Sequence, residues 1–192
     1  ALDATALVLV RAGSKYETKD INGISHFLEH MCFKGTTKRP TAFDISSELD
    51  NLGAQTNAFT SQEYTGYYAR VDKSKLDQAL EIVSDLFLNP IFKNEEIEKE
   101  KGPVIEEINM YEDDPQRKIA DLFPGLLYGD QPAGWTIAGE KQTIAGLKRD
   151  EVVNYRIAHY VAKSTIVVVS GGFNEEKILN DYQKALKERD TL

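Results

Sequence analysis

The chain has 192 residues, of which 41% are hydrophobic and 28% charged, a composition that excludes a disordered or fibrous class and suits one domain of ordinary size. With 23 Lys and Arg against 31 Asp and Glu, the net charge is −8, which argues against nucleic acid or an anionic membrane surface as the main partner. The single cysteine, Cys32, excludes an intrachain disulfide and fits a reducing compartment, the cytoplasm, and no apolar run reaches the roughly 20 residues that span a bilayer.

In chain order, Thr5 to Arg11 is rich in Val and Leu and reads as a mostly buried strand. The chain starts without Met inside that element, so trimming at its front is expected. Asn22-Gly23 marks a loop, and a short helix follows from about Ile24 to Phe33, with Lys34 and Gly35 at its end. Thr41 and Asp44 have the spacing of a capping box for a second helix that ends near Gly53. Strands over 55–60 and 63–71 form a hairpin around Ser61-Gln62. Leu76, Leu80, Ile82, Val83 and Leu86 give a helical stripe that stops at Asn89-Pro90. A long helical region from Asn94 to about Tyr111 is interrupted by Gly102-Pro103, and Asp114-Pro115 opens another helix. Residues 129–147 read as irregular, followed by a helix over 151–160, a strand over 165–169 and a last helix over 175–189. The pattern predicts one α+β domain over residues 1–192, with a mixed, mainly antiparallel sheet flanked by helices.

Two of the three histidines fall in H26-F-L-E-H30. At about 100° per residue, His26, Glu29 and His30 share one arc of a helix, and Phe27, Leu28 and Met31 take the opposite one. Two neutral nitrogen donors beside a carboxylate that is not a ligand is the arrangement of metal-assisted hydrolysis, with Glu29 as general base. The plainer alternative is a solvated helix face. A hydrolytic zinc site needs a third protein ligand. Glu107 lies within the apolar stripe of Val104, Ile108 and Tyr111, whereas Glu106 is rotated about 100° away, so Glu107 is the candidate. Glu100 lies two turns earlier, roughly 10 Å along the axis, too far to bind the same ion through a rigid helix. It either hydrogen-bonds a ligand histidine or forms a surface ion pair. Cys32 is rotated about 200° from His30, which excludes it as a metal ligand and leaves core packing.

The segment G-I-S-H-F-L-E-H-M-C-F-K-G-T, Gly23 to Thr36, resembles the signature of the pitrilysin-type zinc peptidases, the inverted HxxEH group with its bacterial processing-peptidase-like members. The family's third ligand lies in a segment similar to E-K-G-P-V-I-E-E-I, which places it on Glu107 and an auxiliary acid of the catalytic machinery on Glu100. N-A-F-T-S-Q-E-Y-T-G-Y-Y, from Asn57 to Tyr68, resembles the family's substrate-binding strand and its neighbour, and implies contacts from Asn57, Ala58 and Phe59. Y-G-D-Q-P-A-G-W-T-I-A-G and the closing S-G-G-F fit as well, so the resemblance covers nearly the whole chain. It implies a zinc-dependent endopeptidase with Zn²⁺ held by His26, His30 and Glu107, acting on extended peptides. It also implies an N-terminal half that lacks an opening strand and needs a second homologous domain or subunit, from which further oxyanion donors come. The alternative is a non-catalytic scaffold of the same fold.

Overall fold

A computed structural model of the chain describes residues 1–180. Four strands form one sheet in the order β2-β3-β1-β4, antiparallel throughout: β1 (Asp3–Val10), β2 (Gln55–Thr60), β3 (Thr65–Asp72) and β4 (Thr165–Gly171). β1 alternates strictly, with Ala4, Ala6, Val8 and Val10 buried, and the register sets Val8 opposite Tyr67 and Ala6 opposite Ala69. That face carries the core. Its helical cover comes from α1 (Ile24–Cys32), through Ile24, Phe27, Leu28 and Met31, and from α3 (Leu76–Leu88), through Ala79, Ile82, Val83 and Leu86. Phe27, Leu28 and Met31 are fully buried, each worth roughly 1.5–3 kcal/mol of hydrophobic stabilisation.

The remaining helices are α2 (Ala42–Asn51), α4 (Asn94–Asp113), α5 (Pro115–Tyr128), α6 (Lys141–Gly146) and α7 (Arg149–His159). The Thr41 and Asp44 side chains each accept the other residue's backbone N–H, closing the capping box of α2. The Asp114 side chain caps α5 by accepting from the Gln116 and Arg117 amides.

Three expectations are corrected. α4 runs without interruption through Gly102-Pro103. Both residues lie on the exposed side, and a glycine before the proline lacks the Cβ whose clash pushes that position out of the helical region. Residues 129–147 contain α6, six residues long, too short for a hydrophobic period to register. The second strand of the hairpin starts at Thr65, because Ser61 takes the turn: its Oγ accepts from the Glu63 and Tyr64 amides. Residues 175–180 are helical, and the rest of the helix expected over 175–189 lies outside the described residues.

Candidate metal centre

α1 is a buried helix with one open edge. Its apolar side meets the core, and its other side faces β2 and α4. One turn apart, His26 and His30 project the same way, with ring centroids 4.7 Å apart and their Nε2 atoms at 3.3 Å. From α4, Glu107 brings Oε2 to 3.5 Å from His26 Nε2 and 3.3 Å from His30 Nε2, while Glu106 points to solvent. These three residues are the one group among the described residues that could hold a metal ion.

The donor set tests whether an ion fits. A tetrahedral zinc with bonds of about 2.0–2.1 Å separates its donors by about 3.4 Å, and the three edges measured here are 3.3, 3.3 and 3.5 Å. Three lone-pair atoms facing one another repel unless a positive charge sits among them. With only protons to share, His30 takes that charge. Burial disfavours its charged form, but the hydrogen bonds and negative charges of Glu100 and Glu107 outweigh this and push its pKa to about 9. His26 is pushed down to about 4 by burial first and by the neighbouring His30 second, so it stays neutral. Glu107 is held down to about 2, chiefly by the hydrogen bond from His30, and remains a carboxylate. The residues therefore fit a divalent cation with nitrogen and oxygen donors.

Each member except one is held from behind. His30 Nδ1 lies 3.0 Å from Glu100 Oε1, which leaves Nε2 as the atom presented to the cluster, and Lys34 Nζ donates to Glu100 Oε2 at 2.5 Å. Glu100 is thus buried between His30 and Lys34, and the ion pair it makes with Lys34 is not on the surface. Tyr111, one turn after Glu107, donates its hydroxyl to Glu107 Oε1 and leaves Oε2 toward the histidines. The Arg117 guanidinium lies over the Tyr111 ring, 4.7 Å from its centroid. His26 is the exception: its Nδ1 is buried with no hydrogen-bond partner among the described residues. Glu29 stays outside the trio, accepting from Thr60 Oγ1 at 2.5 Å, and burial raises its pKa above the ordinary 4.5 against the pull of that hydrogen bond.

The start of α1 is unusual. Gly23 occupies the cap position with φ 95° and offers no side-chain hydrogen bond to the helix. A Cβ there would lie 2.6 Å from the Ala138 carbonyl oxygen, so only glycine lets the loop 136–139 approach. Glu17, 4% exposed, serves the first turn instead: Oε1 accepts from the Ser25 amide at 2.8 Å, and Oε2 accepts from the Gly23 amide at 2.8 Å and Asn22 Nδ2 at 2.9 Å. Burial pushes the Glu17 carboxyl above its ordinary pKa, and these hydrogen bonds oppose the shift.

The cluster opens into a cleft of about 760 Å³, with β2 along one side and α5 and Ala138 on the other. Along β2 the side chains alternate. Ala58 packs against the core and Thr60 reaches Glu29, on the same side as the cluster. Asn57 and Phe59 take the opposite face; the Phe59 ring packs edge-on to Tyr64 and over Gly66. Asn57 Oδ1 accepts from the Ala58 amide at 2.9 Å. Sequence reasoning missed Glu17, Thr60, Lys34 and Tyr111. The position of Tyr111 four residues after Glu107 was the one local signal.

Fold and cluster together define a class: α+β domains in which two histidines of one helix and a glutamate of another converge on one point. Within that class the chain belongs to the insulinase family (peptidase family M16), which residues 2–141 match. It is 40% identical over 177 residues to an uncharacterized zinc protease of Bacillus subtilis, covering 92% of this chain and 43% of that protein. It is 36% identical over 181 residues to the mitochondrial-processing peptidase subunit beta of Caenorhabditis elegans, covering 94% of this chain and 39% of that protein. A protease from Helicobacter pylori superposes with a TM-score of 0.87 at 26% identity, over 93% of this chain and 43% of the other. The chain thus spans about two fifths of the length of these relatives. No helix among the described residues is long and apolar enough to cross a membrane.

Proposed function

We propose that this chain is the metal-binding half of a zinc-dependent endopeptidase, a single domain over residues 1–192, with His26, His30 and Glu107 as ligands and Glu29 as general base. The observation that carries this reading is the convergence of two Nε2 atoms and one carboxylate oxygen at tetrahedral edge lengths, with Glu29 free of the trio and lining the same cleft. When bound, a zinc ion lowers the pKa of water from about 16 toward 7 and polarises a peptide carbonyl. Glu29, whose burial raises its proton affinity, accepts the proton of the attacking water and passes it to the leaving amine. Thr60 holds the Glu29 carboxylate in place for both transfers. Glu100 keeps the His30 proton on Nδ1, and Tyr111 aims Glu107.

An extended peptide would lie along β2, an edge strand, and pair with its backbone at Asn57, Ala58 and Phe59. The Asn57 side chain must first release the Ala58 amide. A second homologous domain or subunit closes the cleft, in keeping with relatives more than twice as long. A cytoplasmic location is part of this proposal; recovery of the protein from a periplasmic fraction would overturn that part.

The deciding experiment measures zinc content and cleavage of an unfolded peptide. Glu29→Gln is expected to keep stoichiometric zinc and lose about 10²- to 10⁴-fold in kcat. A Glu29→Gln protein as active as wild type would reject Glu29 as base. A wild-type chain that takes up no zinc would favour a scaffold without catalysis.

A further inference from the structure

We infer that Glu17 is the positioning residue for His26, setting the aim of that imidazole through the backbone of the first turn of α1. This rests on the zinc reading of the cluster. His26 and His30 differ in how they are held. His30 is fixed at its far nitrogen by Glu100, whereas His26 Nδ1 is buried and has no partner among the described residues. The direction of His26 Nε2 therefore depends on where the helix backbone places its Cα and on packing around the ring. The residue before it, Ser25, gives its amide to Glu17 Oε1, in the position that a capping side chain normally serves from the residue preceding the helix. Here the preceding residue is Gly23, which has no side chain to offer.

A carboxylate eight residues back in sequence thus supplies the cap, and its charge sits at the positive end of the helix dipole. The same group holds the Gly23 amide and Asn22 Nδ2, and Asn22 Nδ2 in turn donates to the Thr136 carbonyl oxygen at 3.1 Å. One buried carboxylate therefore fixes the start of the metal helix and ties it to the loop whose Ile137 and Ala138 line the cleft. Loss of the Ser25 contact frees the first turn to rotate or fray, and His26 sits on that turn. His30, one turn further on and held by Glu100, is insulated from it.

The test is made on the full-length protein with a chromophoric zinc competitor and with cobalt in place of zinc. Glu17→Gln is expected to weaken zinc binding about 10- to 100-fold and to reduce the visible absorption of the cobalt form as His26 leaves the metal. Asp44→Ala, which opens the exposed capping box of α2, serves as a stability control and is expected to bind zinc as wild type does. If Glu17→Gln fails to fold, Glu17→Asp, which keeps the buried charge but withdraws it by one methylene, replaces it with the same expected direction. Wild-type affinity and spectrum in a folded Glu17 variant would overturn the inference, as would an equal loss in Asp44→Ala. His26→Ala provides the reference. If it too binds zinc like wild type, the ligand assignment itself fails, and that outcome is distinct from a failure confined to Glu17.

Discussion

At the residue scale, the cluster separates donors from the groups that aim them. Glu100 is nearly buried between His30 and Lys34, with its pKa held below 4.5 because those two hydrogen bonds outweigh the effect of burial. Glu100→Gln cannot hold the His30 ring with the same charge. It is expected to weaken zinc binding about 10- to 100-fold while leaving the fold intact, which competition titration and circular dichroism will check together. The choice of Glu107 over Glu106 was legible from periodicity because a carboxylate inside an apolar stripe needs a partner. The support from Glu17 and Thr60 was not legible. Each is brought to α1 from another element, and no local pattern encodes that contact.

At the element scale, α4 carries both Glu100 and Glu107 and contains a proline between them. Pro103 has no amide to give to the helix, and its ring crowds the preceding turn. Because the site is exposed, Pro103→Ala is expected to stabilise the chain by about 1–3 kcal/mol, read as a shift of the urea midpoint at unchanged slope. A lower midpoint would show that the native helix path depends on the ring. Sequence reasoning placed α1, α2, α3 and the β2–β3 hairpin within a few residues, because each has a strong period or a capping pair. It broke α4 at Gly102-Pro103 because local propensity favours a break there. The packing of Ile97, Val104 and Ile108 into the core outweighs that preference.

At the scale of the whole molecule, an ion network with a buried centre, Arg39 and Asp85, joins α2, α3 and the loop between α1 and α2. Arg39, 7% exposed, binds Glu48, Glu81 and Asp85, and Asp85 also accepts from Thr36 and Asn89. Burial raises the Asp85 pKa, but the hydrogen bonds from Thr36, Asn89 and Arg39 outweigh it and hold the carboxyl below 3.8. A depressed folded pKa means that Asp85 stabilises the fold fully above pH 3.8 and loses that contribution as pH falls through its folded value. Asp85→Asn is therefore expected to cost about 3 kcal/mol at neutral pH, with the gap to wild type narrowing in acid. Denaturant titrations from pH 7 downward will measure it. A constant gap across that range would remove Asp85 from acid unfolding. Under the proposed function, adding a companion half is expected to raise peptide hydrolysis sharply, and equal turnover with and without it would count against a paired design.

The sequence by itself determined the fold class and the elements that recur with a period, and it singled out the His–Glu–His helix face and, on the apolar stripe of α4, Glu107 over its neighbour Glu106. Those follow from spacing along a single helix or strand, where 3.6- and 2-residue repeats decide which side chains share a face. Only the tertiary structure decided that the faces of α1 and α4 meet at 3.3–3.5 Å, that α4 passes its proline unbroken, and that Glu17 caps α1. Those outcomes depend on chain segments far apart in sequence being packed together, and local periodicity carries no record of that packing.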